Sequence, residues 1–501
     1  MKNRINNLLI VLFVIVIFIT FLNIFSCQKN SKINDGALDE LTLINTVSVL
    51  LSENSPYYDI NANRVKSKID SIKKVIHRKG VIHEDELLAH IKHIISELGD
   101  RHASVKILDQ KLAQEKYYLP FALAPWQKDQ VIALKQLPKL KYSNYLEQYP
   151  FLMDIEGESI KDFIYRNDIL NKYAPYQSRM SLGVEKMNEF YKIGKGYKVN
   201  DSVRLKFSNK DKTKDTLVYV NLVTDKTKWR ERYKPLFLNE KNIESYNVLG
   251  ESYANGIEYL KIPEMFDSND DKMFFKWLEI YMNNIKNSNG LIIDIRNNSG
   301  GKRDLINFFS NYFIKPNEYH IANYARYKSK LTNDIEKSLN RRSLYKLNHF
   351  NENIQASILQ KTPSELKDKS KYHNYSDLYY MVLENNQLFN NYYFYDKPVY
   401  ILVNEKTFSA ASVFASSFKG LGKIVLVGVN TDGSSGLSRS YEMNGLELKF
   451  SHMLSFQNSG KLFDGVGTEP DLEITRSEDQ ILGLEDHQLD VLLAKIFKNH
   501  N

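Results

Sequence analysis

The chain has one cysteine in 501 residues, Cys27, so it cannot use an internal disulfide. Proline and glycine are sparse, 12 and 22 residues, which excludes collagen-like and low-complexity architectures. Neither sign of charge dominates: 68 Lys and Arg against 60 Asp and Glu leave a formal +8, too mild for a nucleic-acid binder. The richest basic stretch, Arg326 to Lys371, is diluted by Asn, Ser and Tyr and reads as a solvated helical face. No Walker lysine motif or dinucleotide glycine fingerprint occurs, which leaves a nucleotide site unsupported. There is also no G-x-S-x-G elbow, which argues against an α/β-hydrolase. Nothing resembles a ligand cluster, so neither a metal nor an organic cofactor is expected. The length is too great for one compact core, and two or three domains are the prior.

The long apolar run, Leu8 to Phe25, follows Lys2 and Arg4 and reads as an export signal. The junction Ile24-Phe25-Ser26-Cys27 resembles a bacterial lipoprotein box, which implies cleavage within 1–27 and lipidation of Cys27. The alternative is an uncleaved signal anchor, because the run is just long enough to span a bilayer. On both readings the rest of the chain is exported. The expected location is a bacterial cell envelope, periplasmic or associated with the outer membrane.

Residues 28–116 read as a helical region. In "EDELLAHIKHIISEL", Leu87, Leu88, Ile91, Ile94, Ile95 and Leu98 share one helical face, and Gly99 is a natural stop. Extended sequence resumes at "DRHASVKIL", which mounts His102 between a helix end and a strand. Residues 117–226 read as a small β-rich module. "DSVRLKFSNKDKTKDTLVYVNLV" is a hairpin with a polar turn, and "FLMDIEGESIKDFI" is strand, turn and short helix. Residues 227–478 contain the short apolar runs "GIEYLKI", "GLIIDIR", "PVYILVN" and "KIVLVGV", typical of strands buried on both faces of an α/β sheet. A polar, Tyr-rich stretch at 314–396 reads as a helical insertion. Residues 479–501 include "QLDVLLAKIF", an amphipathic helix able to cap the domain.

Two segments of this α/β region can carry chemistry. "GLIIDIRNNSGG" ends a strand in Gly300-Gly301, where the backbone can approach a ligand closely. Alone it is a tight turn. In "VNEKTFSAASVF", Ser409 follows a strand and opens a helix, beside free backbone N–H groups. Alone it is a cap.

Together with "NTDGSSG" and "FDGVGTEPDLEI", these segments resemble the C-terminal processing and tricorn-like serine peptidases, over Tyr253 to Ile474. The resemblance implies a crotonase-like catalytic domain with Ser409 as nucleophile. It implies an oxyanion hole from the N–H of Ala410 and of Gly300 or Gly301. In the processing branch the base is a lysine, but Ser434 holds its position here, and Lys419 and Lys423 fall on the wrong elements. The tricorn-like branch uses a histidine from a segment similar to "LGDRHAS", which implies His102 as base. Imidazole suits that task near neutral pH, having an ordinary pKa of about 6.5. The family's orienting Glu corresponds to Asp464, with Glu469 a nearby alternative, and its serine beside the histidine is replaced by Arg101. The β-rich module resembles a degenerate PDZ-like domain through "LMDIEGESIKDFI", although the family's carboxylate-binding loop is not evident. The expected function is an exported, membrane-tethered serine endopeptidase cleaving unstructured or damaged polypeptides through a Ser-His-Asp arrangement, with a homo-oligomer possible. The rival is a peptide-binding scaffold with weak or lost chemistry. An ester hydrolase using the same serine is a third reading.

Overall fold

The computed structural model describes residues 31–32, 39–80, 82, 84–108, 116–127, 130–187, 189–191, 198–231, 242–385 and 392–499. Cys27 and the apolar run before it lie outside the described residues. Among the described residues, no helix is long and apolar enough to cross a membrane.

The four apolar runs become adjacent strands of a six-stranded sheet. Its order is Gly250–Tyr253, Ile257–Lys261, Gly290–Asp294, Val399–Val403, Ile424–Gly428 and Leu472–Glu473. All neighbours are parallel except the first pair. Parallel strands are covered on both faces, which explains why these segments lack alternation. Leu291, Ile293, Ile401 and Val403 pack with Phe274 and Leu278 of helix Lys272–Asn284, Phe309 of Asp304–Phe313 and Phe414 of Ala410–Phe418. Ile292, Leu402 and Val427 pack with Leu489, Leu492, Leu493 and Ile496 of the C-terminal helix His487–Asn499. At roughly 1.5–3 kcal/mol for each buried Leu or Ile, that helix is part of the fold and no appendage.

Helix Glu84–Ser96 buries Leu88, Ile91, Ile94 and Ile95. The chain turns at Gly99, whose φ of 71° favours glycine, and enters strand Ser104–Ile107. This strand pairs with Leu446–Ser451, itself hairpinned to Ser438–Met443. The turn carrying His102 is thereby tied to the far end of the sequence. The β-rich module is an antiparallel sheet containing the expected hairpin, Ser202–Ser208 with Asp215–Asn221. Helices Ile160–Asn167 and Tyr176–Met187 cover it through Phe163, Ile164, Met180 and Val184.

The expectation of a helical insertion at 314–396 is corrected. Helices Asn333–Asn340 and Glu352–Lys361 are present, but strands Tyr319–Tyr327 and Tyr379–Glu384 pair with each other. Tyr319–Tyr327 also pairs with Met453–Gln457, which joins the segment to the rest of the α/β region by a second sheet. The solvated-face reading of Arg326 to Lys371 also fails at its start, because Arg326 and Lys328 are buried. Backbone carbonyls of Leu366 and Ser376 receive the Arg326 guanidinium, while Lys328 Nζ reaches Ser52 O and Asp59. These acceptors replace water around the cations, and residue counts along the chain do not reveal them.

Candidate active site

The loop before Ser409 is stitched to the Asn-Asn-Ser-Gly-Gly turn. Asn297 N–H donates to Asn404 Oδ1 at 2.9 Å, Phe408 N–H to Asn298 O at 3.0 Å and Thr407 Oγ1 to Ile295 O at 3.2 Å. Below the turn, Arg296 grips Asp294 and Asp486, and the paired cations hold the Asp294 carboxyl well below its usual range despite burial. Within this frame Ser409 adopts φ 54° and ψ −126°, a conformation that non-glycine residues avoid. Such strain costs of order 1–3 kcal/mol and persists only where the surroundings over-determine it. Ser409 sits at the N-cap of helix Ala410–Phe418, yet its side chain makes no capping hydrogen bond. Its Oγ lies 3.3 Å from His102 Nε2 instead, which removes the cap interpretation.

Gly300 and Gly301 have φ of 98° and 141°. A Cβ on Gly300 would lie 2.6 Å from Ser409 Cβ, and one on Gly301 would lie 2.2 Å from Met265 O. Close backbone approach is therefore the reason for both glycines. They differ in one respect: Gly300 N–H donates to Asn298 Oδ1 at 2.9 Å. The N–H groups of Gly301 and Ala410 have no acceptor among the described residues, and both residues line, with Ser409, a cleft of about 360 Å³. Gly300→Ala should lower kcat about 10²-fold, the effect of losing one oxyanion donor, because the new methyl displaces Ser409 or the turn. Full activity of this variant on an unfolded substrate would show that the close approach is dispensable.

His102 stands in the turn after Gly99, partly buried, against the Phe408 ring at a centroid distance of 5.0 Å. Burial, helped by Arg342, Lys449 and Arg101, pushes its pKa down to about 3, so the imidazole is neutral near pH 7. Ser434 Oγ is 2.7 Å from Nδ1, and the more distant Gly436 N–H donates to the same nitrogen at 3.3 Å. With Nδ1–H donating to Ser434, Nε2 presents its lone pair to Ser409. Gly436 favours the opposite tautomer.

The structure does not give Asp464 the direct contact with the imidazole that the orienting role implies. Its Oδ1 accepts the Arg101 N–H at 3.0 Å, because the turn presents backbone and not the ring to it. Asp100 accepts from His102 N–H at 2.9 Å and from Ser451. One oxygen each of Asp100 and Asp464 and a ring nitrogen of His102 nevertheless lie within 4.8 Å of one another. Burial, then the neighbouring Asp100, raises Asp464 to about 7. Glu469 is exposed and uses its carbonyl to receive Lys419 Nζ. Arg101 packs inward: its guanidinium holds Asp432 bidentately at 3.0 and 2.7 Å and reaches Asn171 Oδ1. In the sequence, Ser434 is marked only by the lysine it replaces. That missing lysine, inside "DGSSG", was the one signal available for it.

A strained serine at a helix start, a neutral imidazole on its hydroxyl and unengaged N–H groups beside it are the parts of a serine hydrolase on an α/β sheet. Residues 256–474 match peptidase family S41, which makes this region a serine peptidase domain of the C-terminal processing type. Among solved structures, mature CPAF complexed with lactacystin is 17% identical, with 92% of this chain and 99% of that one covered at a TM-score of 0.60. Mature CPAF alone overlays at 16% identity and a TM-score of 0.60, covering 92% of this chain and 98% of its own. The photosystem II D1 C-terminal processing protease is 10% identical over 90% of this chain and 99% of its own, at a TM-score of 0.41. No curated protein matches the sequence significantly.

Proposed function

We propose that the protein is an exported, envelope-tethered endopeptidase that cleaves unstructured polypeptides, with Ser409 as nucleophile and His102 as general base. The observation that carries this reading is the strained Ser409 with its Oγ 3.3 Å from His102 Nε2. Ser409 attacks the scissile carbonyl as Nε2 takes its proton. Ala410 and Gly301 N–H stabilise the oxyanion, and the imidazolium returns the proton to the leaving amine. Water then releases the acyl group, with His102 again the base. Ser434 orients the ring, while Asp464 acts on the imidazolium through space. The β-rich module is read as a PDZ-like element that offers its Asp215–Asn221 edge to an extended peptide, with Leu217 and Tyr219 exposed there. The basic start, apolar run and Cys27 support tethering through a lipid or a signal anchor.

A weakly catalytic peptide-binding scaffold is the second reading, favoured by the absence of a carboxylate on His102 Nδ1 and by the Gly436 N–H aimed at it. Covalent labelling by a fluorophosphonate, with digestion of casein alongside, separates the two. The endopeptidase should label and digest, and Ser409→Ala should do neither while keeping its unfolding midpoint. An unlabelled, inactive but folded parent protein would establish the scaffold.

A further inference from the structure

The cleft onto which Ser409 opens carries four cationic residues, Lys302, Arg303, Arg341 and Arg342, and no Asp or Glu. Arg303 is buried, at 5% exposure. Among the described residues its guanidinium meets only neutral groups: Asn323 Oδ1 and Arg342 O at 3.1 Å, Ser435 Oγ at 2.9 Å and the Met381 sulfur. Arg342 is half-buried, and its side chain donates to no acceptor among the described residues. Burial and the neighbouring Arg342 push Arg303 down to about 9, and burial lowers Arg342 as well. Elsewhere in the molecule the buried guanidiniums of Arg101 and Arg296 each hold a carboxylate bidentately. Two adjacent desolvated cations without an anion are unfavourable, and a substrate carboxylate supplies the missing partner. The planar guanidinium fork suits that group.

We infer that this cleft is an anion-selective subsite in which Arg303 and Arg342 seat a substrate carboxylate next to the scissile bond. The inference rests on Ser409 being the nucleophile, and it adds the class of residue recognised there. An Asp or Glu side chain and a free C-terminus present the same group, so the test distinguishes them. Cleavage sites in casein are mapped by mass spectrometry. Matched fluorogenic peptides then carry Asp, Asn or Leu through the positions flanking the cut bond, with free or amidated C-termini.

At one position Asp should exceed Asn by about 10-fold in kcat/KM, the worth of a charge-assisted pair. That ratio should collapse in Arg342→Gln and survive in Arg342→Lys and Arg303→Lys. A preference abolished by amidation alone assigns the subsite to the C-terminus. Fluorescence anisotropy with Ser409→Ala gives an independent measure, since the Asp peptide should bind more tightly than its Asn counterpart. Digestion with equal Asp and Asn ratios would overturn the subsite and leave the peptidase intact. Tighter Asp binding by a protein that digests nothing would do the reverse.

Discussion

His102→Ala should lower kcat/KM on an unfolded protein about 10³- to 10⁴-fold, the range of a general base with its orientation. Folding should be retained, because the ring is only partly buried and sits in a turn held by Asp100. The pH profile carries the more specific expectation. With its own pKa held down to about 3, His102 is neutral across the working range, so protonation of the base does not set the acid limb. Burial and the neighbouring Asp100 instead raise the Asp464 carboxyl to about 7, and the two acids share that titration. The negative charge of Asp464, with one oxygen within 4.8 Å of a His102 ring nitrogen, stabilises the imidazolium formed during attack. Activity should therefore rise with pH through about 7, and Asp464→Asn should flatten that rise at the lower level. A limb that stays near 7 in Asp464→Asn would return the titration to His102. Loss of activity in Ser409→Ala but not in His102→Ala would mean that another group is the base.

Arg101→Met should destabilise the chain by about 3–5 kcal/mol in urea unfolding, as expected when one partner of a buried ion pair is removed. The pair is almost fully enclosed, with side-chain exposures of 4% and 2% for Arg101 and Asp432. Removing the cation strands the Asp432 carboxylate and withdraws a charge that favours ionised Asp464, while the Arg101 backbone N–H still donates to Asp464. Activity should fall as well, because the same contact ties the His102 turn to the loop that carries Ser434. Arg101→Met with Asp432→Leu should recover part of the stability, because neither charge is then left alone, without recovering activity. A single variant with unchanged midpoint and rate would show that the clamp is not needed. Arg101 stands where the family resemblance implies a serine beside the histidine. The clamp and Ser434 together explain how this chain does without it.

Local rules carried much of the architecture. Short continuous apolar runs bounded by turn residues suit strands covered on both faces, and four of them formed adjacent strands of the central sheet. Leu88, Ile91, Ile94 and Ile95 recur at helical spacing, and they formed a buried face. Gly300-Gly301, Ser409 and His102 were legible as candidates because each lies at an element boundary, where steric rules expose backbone and side chain. Their mutual geometry was not legible. Ser409 and His102 are 307 residues apart, and their meeting follows from the pairing of Ser104–Ile107 with Leu446–Ser451. The same pairing puts Ser434, and not a carboxylate, on Nδ1. Burial of Arg326 and Lys328, and the four cations with no acid beside Ser409, arise from strand contacts remote in the chain. What the sequence alone determined is what adjacent residues impose on one another: elements, their ends and the glycines. Partners, protonation and charge at the site depend on which distant segments exclude water together, and only the tertiary structure decided those.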